Sequence, residues 1–585
     1  MITKNIKHTL IAGVACCIFG ATFTSCAEDF LDQTNTYALN RDTYFDTEQA
    51  VISAMIPLYN YVWYDFNDKG YYGMGDGRAN NITASYSDYI YPYANFTEQG
   101  ISAGLSEAWR ALYSVVSQSN SIIRSIEASN LESEAKSRYK AEARFMRGIA
   151  YWYIASLWGV GIIYENSEEM VDNYVVNPCP QTDVMEYAIR DLEYAANYLP
   201  ASSPGDGRVT KYAAYGMLSR VYLSMAGLTT NGSYDGNNIQ TEFNSRTRNE
   251  YYLDLAKKAA QKVIDESGAR LLDDYAQLFH YATQNNNQEV LFQLQFMPGS
   301  SVDGAAQSIT RFFGWSAMVA ESGPGGQPWG GATYCSWDLW KEFKQYEDKT
   351  LGITVDDAVR RHNSVASYKE VYPEFSTDPN APYIYGVTES RGNQGANIKK
   401  YVTGNSKVNG VSTANNSAVN TYMLRLAEVY LNYAEAVLGN NATTTDAEAL
   451  DKFNAIRRRA GVPVKSQIGW EDLRHEFRVE FAFEGLYWYQ LLRRSYYQRQ
   501  EVLNYMNNDQ QRNAHYDINT ATEEYEISTD YKGDGVSTAT TNSFQLPVPD
   551  VDKTKNPGLK TDADGNYTTR RWEFGQREVE TSELY

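Results

Sequence analysis

The feature that most constrains this chain is one kind of amphipathic helix, used repeatedly, whose buried stripe mixes Ala and Gly with Tyr, Leu and Trp. Small residues on one helix give the large residues of its neighbour a place to sit, which is the packing economy of a helix-pair repeat. One segment runs from Trp109 to Ile126 and the next from Ala141 through Trp158 and Gly159. Asp183 to Leu199, with Ala188, Leu192 and Ala195 at helical spacing, partners that second segment until Pro200 stops it. Lys211 to Ala226 with Leu253 to Glu266 form a second pair, and Arg425 to Leu438 with Asp446 to Ala460 a third. A further helix starts at Thr47, with Val51, Ala54, Met55 and Leu58 on one face. Insertions between the helices break any fixed period, so the repeats are degenerate and only tetratricopeptide-like.

Two stretches have a different texture. Residues from Tyr61 to Phe96 place many aromatics among Gly and Asp, including the cluster Gly73-Met-Gly75-Asp76-Gly77, and read as a surface loop near ligand. The segment from Phe296 to about Ser417 is rich in Gly, Pro, Ser and Asn, with little periodicity, and follows an expected strand at Gln288–Leu294. The expected architecture is mainly α: a degenerate tetratricopeptide-like helix-pair scaffold at about 47–290 and 421–495, carrying an irregular, loop-rich ligand-binding subdomain at about 296–417.

The N-terminus has a cationic start with Lys4 and Lys7, then an apolar stretch from Leu10 to Phe23 that is too short to span a bilayer. Phe23-Thr-Ser25 immediately before Cys26 is similar to a bacterial lipobox, in which the cysteine thiol is acylated. Residues 1–25 are thus expected to be a cleaved lipoprotein signal, Cys26 the lipidation site, 26–40 a tether and 41–585 the body. With Cys16 and Cys17 in the signal, the body keeps Cys179 and Cys335, enough for one bridge and no cysteine framework. A net charge of −20 without any basic run excludes nucleic acid as a partner.

Catalytic and metal motifs are absent from the sequence, and no cofactor is expected. Glu476, Glu480 and Glu484 share a helix face, whereas a glycosidase holds two carboxyls across a cleft; Arg457 to Arg459, Arg474 and Arg478 are ready ionic partners. Asp562-Ala-Asp564-Gly-Asn566 lacks the bidentate Glu of a calcium loop and reads as a turn.

Binding is expected from loop aromatics, because the C–H face of a sugar ring stacks on an indole or phenol while its hydroxyls need donors and acceptors. Trp315, Trp329 and Trp337 are the candidate platforms, although a short core helix accounts equally well for Trp337 with Trp340. Asp76 and Arg78 are candidate polar hooks, with Tyr89 and Tyr91 sharing a face with Tyr93 if that segment is extended.

Several motifs in order resemble the RagB/SusD (SusD-like) family along nearly the whole mature chain. Ala141-Glu-Ala-Arg144-Phe-Met-Arg147 with Leu157-Trp-Gly159, and Gly207-Arg-Val-Thr-Lys211-Tyr-Ala-Ala214, resemble its first repeats. The most specific block is Arg425-Leu-Ala-Glu428 through Glu435-Ala436, Phe453-Asn-Ala-Ile456-Arg457, Glu480-Phe-Ala-Phe483-Glu484-Gly485, Gln545-Leu-Pro-Val-Pro549 and Asn556-Pro-Gly-Leu559. Leu486-Tyr-Trp-Tyr-Gln490 departs from the family pattern. The resemblance implies a non-enzymatic lipoprotein on the outer membrane, facing the cell exterior, that captures glycan and passes it to a SusC-like TonB-dependent transporter. RagB-like relatives imply peptide or glycoprotein as alternative ligands, with glycoside hydrolysis a third reading.

Overall fold

The structure, a computed structural model, describes residues 45–585 apart from 85–86, 204, 206, 286, 298–304, 315–317, 319–332, 377, 379, 389–394, 403, 405–416 and 529–535. Trp315 and Trp329, together with the N-terminal segment and Cys26, lie outside the described residues.

The principal helices are α1 (Glu48–Met55), α2 (Leu105–Ala128), α3 (Ser133–Trp158), α4 (Gln181–Tyr198), α5 (Lys211–Leu228) and α6 (Glu250–Glu266), then α7 (Trp337–Lys344) and α8 (Ala358–Ser364) in the insertion. After it come α9 (Leu426–Leu438), α10 (Ala447–Ala460), α11 (Trp470–Glu480) and α12 (Tyr487–Asn504). Local chemistry sets their ends. Thr47 accepts from Ala50 N to start α1, Asp446 accepts from Glu448 N and Ala449 N to start α10, and Gly461 closes α10 in the left-handed region at φ 71°. The expected pairs form, α3 against α4, α5 against α6 and α9 against α10. Helix α5 is buried on every face from Tyr212 to Leu228, which places it at the centre of the stack. No helix among the described residues is long and apolar enough to cross a membrane.

The strands are short and occur in pairs: β1 (Ile82–Ala84), β2 (Val290–Leu294), β3 (Thr333–Cys335), β4 (Thr421–Arg425), β5 (Tyr516–Asn519) and β6 (Glu524–Ile527) are those that bear on the site. The expected Gln288–Leu294 strand is β2, and it pairs antiparallel with β4. The loop-rich insertion therefore leaves and rejoins the scaffold at neighbouring strands.

Beneath this stem lies a buried knot of charge. Arg425 reaches Glu289 (2.7 Å), Glu484 (2.8 Å) and Glu480 (3.1 Å); Arg457 reaches Glu476 (2.8 Å) and Arg459 reaches Glu289 (2.6 Å). From the insertion, Lys400 meets Glu484 at 3.0 Å, Arg360 meets Glu476, and Asp348 meets Lys465 at 2.7 Å. Burial opposes ionisation of Glu480, but Arg459, Arg425 and Arg360 outweigh it and hold the carboxyl down at about 2. Glu476 and Glu480 on α11, and Glu484 in the turn beyond the helix end and so off the shared face that was expected, are thus committed to the scaffold; of their expected partners, Arg458 pairs with Asp451, and Arg474 and Arg478 with Glu342.

Other buried acids are pushed the opposite way. Burial raises Asp68 and Asp76 to about 6, and burial with the neighbouring Glu186 takes Glu193 to about 7 against the pull of Arg577. An acid whose folded pKa is raised contributes stability that is lost as pH climbs through that value; the depressed Glu480 and Glu370 contribute stability lost as pH falls from 4.5 toward about 2. The melting temperature is therefore expected to peak at mildly acidic pH and to decline toward both pH 8 and pH 3. A calorimetric series across that range checks this, and a melting temperature still rising from pH 6 to 8 would refute it.

Candidate ligand-binding site

The first aromatic stretch is mostly wedge, not surface loop: Trp63, Tyr71 and Tyr72 are buried. Arg78 N donates to Gly73 O at 3.0 Å, closing a wide turn over Gly73–Gly77 in which all five residues are buried. Glycine is required at Gly75 because a Cβ there would lie 2.3 Å from Gly485 O.

Asp76 and Arg78 are corrected as polar hooks, since both are fully buried and engaged internally. Asp76 accepts from Asn81 Nδ2 (2.7 Å), Phe483 N (3.0 Å) and Gly485 N (2.5 Å), tying the turn to the end of α11. Arg78 pairs with Glu98 and Ser543 O, its guanidinium 4.7 Å from the Trp488 ring centroid. Tyr91–Ala94 is a short helical turn and not a strand, so Tyr93 is buried while Tyr91 is half-buried; Tyr89, also half-buried, packs edge-on against Phe312 at 5.8 Å.

What this turn positions is β1, which pairs with β3 in the register Ile82↔Cys335, Thr83↔Tyr334, Ala84↔Thr333. The two aromatic insertions seen in the sequence thus meet as one ladder. Ser336 then caps α7, accepting from Leu339 N (3.1 Å) and donating to Asn80 O (2.6 Å). The two indoles of α7 diverge: Trp340 is buried against Tyr525 at 4.8 Å, while Trp337 is half-buried. Its Nε1 donates to Gln511 Oε1 (2.9 Å), and its ring lies 5.3 Å from that of Tyr516.

Tyr516 is held at both ends, its hydroxyl donating to Cys335 O (2.7 Å) and accepting from Ala396 N (3.0 Å). Beside it a cavity of about 500 Å³ opens between the β1–β3 ladder and the β5–β6 hairpin, lined by Tyr334, His515, Asp517, Asn519 and Glu526 among others. The volume suits a ligand of a few rings. Fixed aromatics with amide and carboxylate groups around them make a surface that stacks on a ring and pairs with hydroxyls.

Tyr516 and its hairpin escaped the sequence reading. The apolar/polar alternation of Tyr516–Asn519 and Glu524–Ile527 around a turn was the available signal. Among the described residues no group of His, Cys, Asp and Glu is placed to hold a metal ion. Cys179 and Cys335 are both free and buried, and burial pushes both thiols up. Asp562 caps an exposed turn, accepting from Asp564 N (2.9 Å) and Asn566 N (2.8 Å).

Residues 29–223 match a family model described as "Starch-binding associating with outer membrane", and residues 288–565 match the "SusD family" model. A SusD-like protein of Bacteroides ovatus is 34% identical over 492 residues, 83% of either chain. The starch-binding protein SusD of Bacteroides thetaiotaomicron is 26% identical over 381 residues, 60% of this chain and 62% of that one. A crystal structure with xylogluco-oligosaccharide superposes with a TM-score of 0.76 at 32% identity, covering 90% of this chain and 100% of that one. A laminarin-binding SusD-like protein shares the fold, with a TM-score of 0.61 at 17% identity over 87% of this chain. With both of its halves matched and a relative this similar along most of its length, the chain belongs to the SusD family.

Proposed function

We propose that this protein is a glycan-capturing lipoprotein of the cell surface, held in the outer membrane through Cys26 and facing outward, which hands oligosaccharide to a partner TonB-dependent transporter without cleaving it. The observation that carries the reading is the likeness, over 90% of the chain at 32% identity, to a structure with xylogluco-oligosaccharide. The cavity supplies the chemistry: the rings of Tyr334 and of Tyr516, against which Trp337 packs, for stacking, and Asn519, Asp517 and Glu526 for hydroxyls. Trp315 and Trp329 join the proposal as further stacking faces on sequence grounds, and Tyr89 and Tyr91 remain candidates at its margin. Catalysis is not part of the reading, because the Glu476, Glu480 and Glu484 carboxylates are spent on buried ion pairs.

The test is calorimetric titration of the soluble body, begun after Cys26, with xylogluco-, laminari-, malto- and cello-oligosaccharides. Trp337→Ala is expected to weaken binding of the preferred glycan tenfold or more, about 1.4 kcal/mol, with the sugar recovered intact by chromatography. Heat from peptides alone would move the ligand class to peptide, and release of shorter sugars would restore the hydrolase reading. In cells, Cys26→Ala is expected to shift the protein out of the membrane fraction.

A further inference from the structure

A second cavity, of about 660 Å³, lies between the turns around Phe279 and Tyr281 and the loop-rich insertion, and shares no lining residue with the first. Phe279, Tyr281 and Pro373 give it an apolar wall, and His362, Lys399 and Glu374 bring polar groups to it. Phe279 is seated firmly: its ring meets Tyr401 edge-on at 5.2 Å and Tyr422 at 5.5 Å, and Lys400 Nζ lies 4.6 Å from its centroid.

The imidazole is the most carefully supported group in the cavity. His362 Nδ1 lies 2.8 Å from Glu370 Oε2, and its ring stacks on Tyr372 at 4.8 Å and 15°. Glu370 also receives Arg361 and the Tyr372 hydroxyl (2.8 Å). Although burial works against it, these partners hold Glu370 down at about 2, so it is a fixed acceptor. A carboxylate at Nδ1 selects the tautomer with its proton there and leaves Nε2 to accept. Such support is common behind groups that contact ligands, yet 41% of the His362 side chain is exposed, so the arrangement does not serve to fill the core.

Charge in the cavity is balanced. Lys399 Nζ is 2.8 Å from Glu374 and Arg361 is paired with Glu370, so neither cation is left over to attract an anion. Aromatic walls with paired donors and acceptors and no net charge suit a neutral polyhydroxylated ring.

We infer that this cavity is a second saccharide subsite, which takes one neutral sugar residue against Phe279 and Tyr281 with its hydroxyls on His362 Nε2 and the Lys399–Glu374 pair. The inference rests on the glycan-capture reading, and the experiment separates the two. The soluble body is titrated with the oligosaccharide panel as wild type, as Trp337→Ala and as the double variant Tyr281→Ala, His362→Ala. Two sites per chain are expected in the wild type and one in the double variant, with affinity for the parent polysaccharide lowered fivefold or more; Tyr281→Phe is expected to keep both sites. One site in the wild type, with a double variant that binds identically, overturns the inference and leaves the glycan reading standing. No heat from any oligosaccharide overturns both. If the double variant loses its cooperative melt, Tyr281→Ala alone, on an exposed turn, is judged by the same site count.

Discussion

Arg425→Ala is expected to cost about 3–5 kcal/mol of stability, the range for breaking a buried ion pair from one side. Arg425 is 1% exposed and serves Glu289, Glu480 and Glu484 together. Its removal leaves three buried carboxylates to share Arg459, Arg360 and Lys400, and it also unties the end of β4 from the end of α11. Urea unfolding should show a lower midpoint at unchanged slope. The contrasting variant is Lys258→Ala, which breaks an exposed pair with Asp254 and should change stability by less than about 1 kcal/mol. Comparable losses from the two variants would mean that the knot carries no special weight.

Gly75→Ala should be nearly as damaging, about 3 kcal/mol, at the upper end of overpacking costs. The added methyl meets the O, C and Cα of Gly485 at 2.3, 2.6 and 2.7 Å, and backbone cannot step aside as a side chain tip can. Relief requires the turn to part from the end of α11, which stretches the Asp76 bonds to Phe483 N and Gly485 N and displaces β1. Glycan affinity should therefore fall with the melting temperature. Gly575→Ala, where a Cβ meets nothing within 4 Å, is the neutral comparison. A Gly75→Ala protein with wild-type melting and binding would refute the proposed link between this turn and the site.

The helices were legible because each carries its own period and stop signals: Pro200 follows the end of α4 and Asp446 caps α10. Glu476 and Glu480 of α11 were legible as structural because their spacing puts them on one face, while Glu484 sits past the helix end, beyond Phe483 with its left-handed φ of 66°. Their partners Arg360, Arg425 and Lys400 were not, since nothing local joins residues that meet only when the insertion folds back. The glycine cluster was misread for the same reason. Glycine marks either a free loop or a tight approach, and the approach here is to Gly485, far along the chain. Asp76 and Arg78 followed that misreading from hook to brace. Trp337 and Trp340 show the limit of composition: one helix holds both, and its rotation against Tyr525 and Tyr516 decides which indole is left partly open.

The pairing of β2 with β4 gives the insertion a closed stem, and its charged pins to the scaffold include Asp338, Glu342, Asp348, Arg360 and Lys400. In engineering terms that is a socket. Because the two ends already sit side by side, a foreign cassette can be spliced between them without redrawing the scaffold, provided it presents matching charges to Arg474, Arg478, Lys465, Glu476 and Glu484. A chimera of this kind would exchange what the protein recognises while its helical frame keeps the same register.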